Sequence, residues 1–317
     1  MSPGYNREIN TPVIVLLGPT AVGKTALSLE LAELFACEIV SVDSMQVYRF
    51  MDIGTAKPTL HERERIVHHL IDIVDPDEQY NSALFVGDAL EAIDAIAASG
   101  KIPLLTGGTG LYLKALTEGL FEIKGSEDAS IRHQLASRLE KEGRDVLFHE
   151  LRAIDPESAE RVHINDTQRL IRALEIYQST GKTWSAHLQN HRGPADRLVN
   201  MLQIGLTCDR QALYKRIEQR TLAMFDNGLI DEAETLQEMG YSPDLPSMQA
   251  IGYRHANNYL AGKWSRAEAM HLLIRDTRRY AKRQMTWLSK NSAIQWFERD
   301  DHHGVLQASE KWLADLQ

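Results

Sequence analysis

A chain of 317 residues is long enough for one large α/β domain and a smaller appendage, since single hydrophobic cores usually stop growing at about 250 to 300 residues. With 43% hydrophobic and 25% charged residues, it has the composition of an ordinary soluble globular protein, which excludes a disordered or fibrous architecture. The net charge of −9 argues against a broad nucleic-acid footprint, although residues 275–290 gather six Lys and Arg against the single acid Asp276, a local charge of +5.

Residues 1–10 are too polar for a secretory segment, and no stretch approaches the roughly 18 to 20 apolar residues of a membrane span. A cytoplasmic location without membrane association is expected. Cys37 and Cys208 are too few and too isolated for a disulfide framework or a thiolate zinc site. Residues 12–17 form an apolar run, a glycine-containing loop follows, and residues 26–35 carry Leu27, Leu31 and Leu34 at helical spacing. This predicts strand, loop and helix, the first βα unit of a parallel sheet. Residues 38–42 and 102–106 predict two more buried strands, ending in Asp43 and in Gly107-Gly108-Thr109. Helical stretches near 83–98 and 111–118 supply the alternation of a doubly wound sheet.

From 120 to 200 the strand-like runs vanish and charged helix formers dominate. An all-helical insertion is predicted, its clearest helix starting at Asn165-Asp166, carrying Leu170, Ile171, Leu174 and Tyr177 as an apolar stripe, and stopping at Gly181. Residues 189–197 read as a return linker and 202–207 as a fourth strand. The rest reads as helices punctuated by Gly228, Gly240 and Ser242-Pro243.

Gly18-Pro19-Thr20-Ala21-Val22-Gly23-Lys24-Thr25 fits G-x-x-x-x-G-K-[ST] and lies between a predicted strand and a predicted helix, the context a phosphate-binding loop requires. Its glycines let backbone N–H groups turn inward around phosphate oxygens, the helix N-terminus adds positive potential, Lys24 supplies a mobile charge and Thr25 can ligate Mg²⁺. The expected fold class is therefore α/β: a P-loop NTPase-like core with a parallel sheet flanked by helices, plus an all-helical insertion domain. The expected divisions are residues 1–119 for the first part of the core, 120–200 for the insertion, and 201–317 for completion of the core and the C-terminal basic helices.

The loop alone does not distinguish ATP from another diphosphate. A P-loop ATPase normally carries an acidic residue at a strand end to hold Mg²⁺, whereas the third strand here ends in Thr106-Gly107-Gly108-Thr109. A small-molecule kinase stays open on these residues. Asp43, at the carboxyl end of the second strand where open α/β sheets place ligands, is positioned to face a substrate.

The run Ser41-Val42-Asp43-Ser44-Met45-Gln46-Val47-Tyr48 and the following Met51-Asp52-Ile53-Gly54-Thr55-Ala56-Lys57-Pro58 resemble the bacterial tRNA dimethylallyltransferase family. The likeness recurs at Pro103 to Tyr112, at Asn165 to Glu175, at Ala250 to Arg254 and at Ala281 to Leu288, in the family's order. The resemblance implies an enzyme that moves the dimethylallyl group of dimethylallyl diphosphate to N6 of the adenine at tRNA position 37, next to the anticodon. The partners implied are the tRNA anticodon stem-loop and dimethylallyl diphosphate, with Mg²⁺ as cofactor on Thr25; a monomer is expected. By the same resemblance Gly18 to Thr25 and Arg220 bind the diphosphate, and Asp43, as general base, and Thr109 form the catalytic pair. Contacts to tRNA fall to Asp43, Ser44, Met45, Gln46, Thr109, Arg132, Gln168, Arg169, Leu170, Ile171 and Arg172. They continue through Gln249, Ala250, Ile251, Gly252, Tyr253 and Arg254, and through Lys282, Arg283, Gln284, Met285, Thr286, Trp287, Leu288 and Ser289. Around residues 123–129 the sequence departs from the family pattern, which weakens the assignment of Arg132.

Helical geometry adds to this without the family. At 100° per residue, Arg275, Arg278, Arg279, Lys282, Arg283 and Lys290 fall within an arc of about 140°, opposite Leu273, Tyr280, Gln284, Trp287 and Leu288. Such a stripe is by default a solvated face, and its phosphate-binding reading rests on the family match. Gln168 with Arg172, and Arg216 with Arg220, are four apart and would each point together. Besides a kinase, transfer to a free adenine nucleotide and a non-enzymatic RNA-binding module are the competing readings. The histidine pairs at 68–69 and 302–303 lack accompanying carboxylates or cysteines at metal-ligand spacing.

Overall fold

The structure, a computed structural model, describes residues 9–119, 129–189 and 198–316. The family departure at 123–128 and most of the expected linker, 190–197, lie outside the described residues. The chain forms two compact units, one of Met1–Glu118 with Asp196–Gln317 and one of Gly119–Ala195.

In the larger unit the chain opens with β1 (Val13–Leu17), α1 (Lys24–Leu34), β2 (Cys37–Val42), α2 (Leu60–Arg65), β3 (His68–His69), α3 (Ser82–Ala98), β4 (Ile102–Gly107) and α4 (Gly110–Glu118). The smaller unit holds α5 (Ala129–Glu142), α6 (Arg144–Ile154), α7 (Pro156–Arg161), α8 (Thr167–Thr180) and α9 (Trp184–Gln189). The chain then returns as β5 (Met201–Thr207), α10 (Arg210–Asp226), α11 (Leu229–Glu238), α12 (Ile251–Leu260), α13 (Arg266–Leu288), β6 (Gln295–Glu298) and α14 (His302–Asp315).

All pairings among the six strands are parallel, in the order β3-β2-β4-β1-β5-β6. β1 is apolar and buried at every position, as a central parallel strand covered on both faces must be. The sequence did not predict β3 or β6. β3 is two residues long, and β6 is a mostly exposed edge strand without an apolar run. Leu27 and Leu31 of α1 pack with Ile14, Leu16 and Ile39 of the sheet and with Leu213 and Ile217 of α10. A second core joins Val47, Tyr48 and Met51, just after β2, to Leu229, Met248, Tyr253 and Leu273.

Within the smaller unit, Leu170 and Leu174 of α8 pack against Leu135, Leu147 and Leu151. Asp166 caps α8 by accepting from Arg169 N at 3.1 Å, and Gly181 ends it at φ 70°, a conformation that favours glycine. Glu175, almost fully buried, is neutralised by Arg132 and Arg172, each at 3.0 Å. Among the described residues no helix is long and apolar enough to cross a membrane.

The register decides where the loops meet. Leu17 lies opposite Gly107, and Val42 opposite Gly107 on its other side, so β1, β2 and β4 end at one level. A Cβ on Gly107 would stand 2.1 Å from Val42 O, too close for any side chain. Gly107→Ala is expected to cost about 1 to 3 kcal/mol by overpacking, read as a lower urea midpoint at unchanged slope. An unchanged midpoint would mean that β4 can withdraw from β2.

Candidate active site

The phosphate-binding loop leaves β1 through Gly18 at φ 149°, where a Cβ would meet Leu206 O at 2.9 Å, and enters α1 through Gly23 at φ 117°. Both conformations favour glycine. No side chain caps α1, and the first N–H groups of a helix have no intrahelical partner. Lys24 Nζ donates to Gly18 O at 2.9 Å and Pro19 O at 3.0 Å, lying across the loop it closes. Thr25, in the first turn, is exposed.

Two other helices reach this loop. From α10, Arg216 Nε donates to Ala21 O at 2.7 Å and Arg220 Nη2 donates to Thr20 Oγ1 at 2.6 Å, so the predicted i, i+4 pair does converge. From α13, Gln284 accepts from Thr20 N at 2.8 Å and donates to Gly108 O at 2.9 Å, bridging the loops after β1 and β4. Burial, with Arg220 beside it, pushes the Lys24 ammonium down to about 8 while Asp43 acts to raise it. Burial also lowers Arg220, again against Asp43. Three cations thus converge on one loop at an electrostatic cost that an anionic ligand would offset.

Asp43 follows β2. Its Oδ1 accepts from Met45 N at 2.8 Å and Gln46 N at 3.3 Å, a local turn that fixes the carboxylate and leaves Oδ2 without a hydrogen-bond donor among the described residues. Thr109 is tied to the same turn: its N–H donates to Val42 O at 3.2 Å, and its Oγ1 accepts from Ser44 N at 3.1 Å. Burial raises the Tyr280 hydroxyl to about 12, with the Asp43 charge adding to it and hydrogen bonding to Thr109 opposing it. Tyr112, stacked on Phe85 at 4.4 Å, is likewise raised by burial and by nearby Tyr48 and Asp43. Trp287 packs over Gly110, where a Cβ would fall 2.5 Å from its ring.

The segment after Asp43 is clamped from far along the chain. Glu232 of α11 accepts from the N–H groups of Asp52 at 3.1 Å, Ile53 at 2.9 Å and Gly54 at 3.1 Å, and from the Tyr253 hydroxyl at 2.6 Å. Gly54 and Gly252 let this happen, since a Cβ on Gly54 would fall 2.5 Å from the Tyr253 ring and one on Gly252 would fall 2.8 Å from Gly54 O. Lys57, its side chain 2% exposed, donates to Tyr48 O at 2.7 Å and pairs with Asp52 and Asp72. Gln46 donates to Ala56 O at 3.3 Å, completing the link back to the Asp43 turn.

The other predicted residues divide by exposure. Leu170, Tyr253 and Leu288 are core side chains, and Gln284 spends both ends of its amide inside the protein, so these four side chains serve the packing and the loops themselves. Their pattern marks packing and loop support, which a sequence motif does not separate from ligand contact. Gln168, Arg169, Gln249, Lys282, Arg283, Thr286 and Ser289 are exposed, while Ala250, Ile251, Arg254, Met285 and Trp287 are partly so and Gly252 is buried. Arg169 pairs with Asp166 at 3.1 Å, and Arg254 with Asp276 at 3.2 Å. Arg132, Gln168, Arg169, Leu170, Ile171 and Arg172 belong to the smaller unit and the rest to the larger. His69 and His302 bond Glu38 and Glu30, both at 2.7 Å, and no cluster of three or more His, Cys, Asp or Glu capable of holding a metal occurs among the described residues. Sequence reasoning missed Glu232, Lys57 and the loop contact of Arg216. For Gln284 the available signal was a polar residue within a packing stripe.

A buried parallel strand, a lysine-bearing phosphate loop and a carboxylate after the next strand together define a P-loop-like α/β protein. Residues 46–291 match the family model described as IPP transferase, and residues 11–72 match that described as isopentenyl transferase. The chain belongs to the IPP transferase family. It is 51% identical over 308 residues, 97% of this chain and 98% of the relative, to a protein of Desulfotalea psychrophila named tRNA dimethylallyltransferase. Among solved structures it resembles the full-length tRNA isopentenylpyrophosphate transferase of Bacillus halodurans, at 40% identity and TM-score 0.71 over 97% of both chains. It also resembles a eukaryotic dimethylallyltransferase acting on tRNA, at 32% identity and TM-score 0.76 over 92% of this chain and 75% of the other.

Two outcomes follow from the clamp and from Lys24. Removing the Glu232 carboxylate strands three backbone donors and a phenol that water can only partly serve, so Glu232→Ala should cost about 1 to 3 kcal/mol; a urea midpoint unchanged from the parent would show the clamp to be idle. Because the lysine's value is depressed from 10.5 to about 8, its penalty to folding is complete below about 8 and is relieved as pH rises toward 10.5. A bound anion would restore the ammonium. Just above pH 8, inorganic diphosphate binding should take up more protons in the parent than in Lys24→Arg, measured by calorimetry in buffers of different ionisation enthalpy; equal uptake would remove Lys24 from the binding step.

Proposed function

We propose that the protein transfers the dimethylallyl group from dimethylallyl diphosphate to N6 of the adenine at tRNA position 37, giving N6-(dimethylallyl)adenosine and diphosphate. The observation that carries this reading is the Asp43 carboxylate standing in the field of Lys24 and Arg220, the cations of the phosphate loop. Such a site handles a diphosphate and a proton side by side. The names of the relatives agree with that chemistry.

In this reading the loop N–H groups, Lys24 and Arg220 grip the diphosphate, and the charge that builds on it as the allylic C–O bond breaks is met by groups already in place. Adenine N6 is a weak nucleophile because its lone pair is delocalised, and Asp43 accepts the proton it sheds, a role worth roughly 10² to 10⁴ in rate. The turn N–H groups on Oδ1 hold the carboxylate so that Oδ2 is the atom available for that proton. Thr109, bonded to Ser44 N, keeps the loops after β2 and β4 together around the reacting nitrogen. The base must leave the anticodon stack to react, at a cost of a few kcal/mol that loop contacts offset. Candidate contacts are the exposed residues at 168–169, 249 and 282–289.

Mg²⁺ fits this arrangement, because it keeps most of its ligands as phosphate and water oxygens and asks little of the protein. The exposed Thr25 hydroxyl, at the loop's exit into α1, is the side chain that would hold it. When bound, the ion would neutralise charge on the diphosphate. The protein is proposed to act as a monomer in the cytoplasm.

Radiolabelled dimethylallyl diphosphate offered together with unmodified tRNA, AMP and ATP should place label in tRNA alone, and label in AMP or formation of ADP would replace this reading. Asp43→Asn keeps the Oδ1 acceptor of the turn but removes the base. Single-turnover transfer should fall at least ~10²-fold with tRNA affinity held within a few-fold; an equal loss of binding would make Asp43 a docking residue.

A further inference from the structure

α10 and α13 are each two-sided. On their inner faces Leu213, Ile217 and Ala281 enter the core, and Arg216, Arg220 and Gln284 reach the phosphate loop. On their outer faces they enclose a separate groove of about 400 Å³, whose lining includes Arg210, Tyr214 and Glu218 of α10 and Arg275, Arg278 and Lys282 of α13. Five Lys and Arg line it against one carboxylate, on a chain whose net charge is −9. The groove is therefore a place where a polyanion would be attracted locally although the chain as a whole is acidic.

Its guanidinium groups are held in position. Arg210 and Arg278 lie over the Tyr214 ring at 5.2 Å and 5.1 Å, Arg210 Nε donates to the Tyr214 hydroxyl at 3.2 Å, and Arg278 pairs with Glu218 at 2.9 Å. Arg275 is oriented by Asp276 at 2.9 Å. A guanidinium has five N–H donors, so each keeps several for an oxyanion. Arg210 and Lys282 have no carboxylate partner among the described residues. Arg275 and Lys282 are two helical turns apart, about 10 Å. The cations form a row and not a single cage, which suits repeated phosphates better than one. Rigid forks match phosphate oxygens bidentately, and a row of them matches the regular succession of charges along a nucleic-acid backbone.

We infer that this groove binds a stretch of phosphodiester backbone of the RNA substrate, outside the active site. The inference rests on the proposed reading that the substrate is RNA. It adds Arg210 and Tyr214, on a helix with no exposed RNA assignment, as the second wall of a site whose first wall is the basic stripe of α13.

The test is equilibrium binding of unmodified tRNA to the intact protein and to Arg210→Ala/Arg275→Ala across about 50 to 200 mM salt. The double variant should bind tRNA about tenfold or more weakly, with the slope of log affinity against log salt reduced by about two, one for each lost phosphate contact. Affinity for inorganic diphosphate and single-turnover transfer at saturating tRNA should stay within twofold of the parent, and Arg210→Lys/Arg275→Lys should recover most of the slope. An unchanged slope overturns the inference even if affinity falls, and so does an equal loss of diphosphate binding, which would trace the effect to α10 and the phosphate loop. Polyglutamate displacing tRNA from the parent as well as a non-cognate RNA of equal charge would assign the groove to acidic protein partners instead. If the parent transfers label to tRNA while the slopes agree, the groove alone is refuted; if the parent neither binds nor modifies tRNA, both readings fall.

Discussion

The contact between Gly107 and Val42 sets the geometry on which the candidate site depends. Parallel strands are held at their pairing distance along their whole length, and here three of them run out at the same level. The chain must then turn away from each strand end within a few residues of its neighbours. That crowding places the loop after β1, the turn after β2 and the Gly-Gly-Thr run after β4 side by side, with a backbone carbonyl where a Cβ would otherwise sit. A ligand meeting one of these loops meets all three, the general behaviour of open α/β sheets at their carboxyl edge.

What the register brings together, charge then holds in tension. Lys24, Arg216 and Arg220 converge on one short loop, and burial works against the ammonium of Lys24 and the guanidinium of Arg220. The folded protein carries this repulsion because hydrogen bonds to loop carbonyls and to Thr20 fix the cations, and because Asp43 is close enough to offset part of it. An anion held there would offset the cost of bringing these cations together, the kind of local destabilisation that proteins accept at functional sites.

The helices added late in the chain act as braces. α13 inserts Gln284 between two active-site loops while turning Lys282 and Arg283 outward, and α10 does the same with Arg216 and Arg220 inward and Arg210 outward. Glu232 and Tyr253 fix the segment from Asp52 to Gly54, which Lys57 and Gln46 tie back to the Asp43 turn. Side chains remote in sequence therefore supply much of the rigidity that the reacting groups require, and replacing them should affect the site without touching a ligand.

Several features were legible in the residues themselves. A phosphate loop is written by local backbone needs: Gly18 and Gly23 adopt conformations that side chains disfavour, and the lysine follows at a fixed offset. Central strands such as β1 are legible because burial on both faces demands an unbroken apolar run. The family likeness carried the functional reading, since its blocks are spread over most of the chain. By contrast β6, an exposed edge strand, left no apolar signature, and Leu170 and Tyr253 were grouped with expected ligand contacts although they are core. Nor could spacing distinguish Gln284 as a brace, or find Glu232, because a hydrogen bond across 178 or 264 positions leaves no local pattern. The sequence by itself determined the loop, the central strands and the kind of chemistry, all of which depend on contacts between near neighbours or on burial. Only the tertiary structure decided which polar side chains face a ligand and which support the backbone that does, because that depends on which distant segments the parallel register and the helix packing bring into contact.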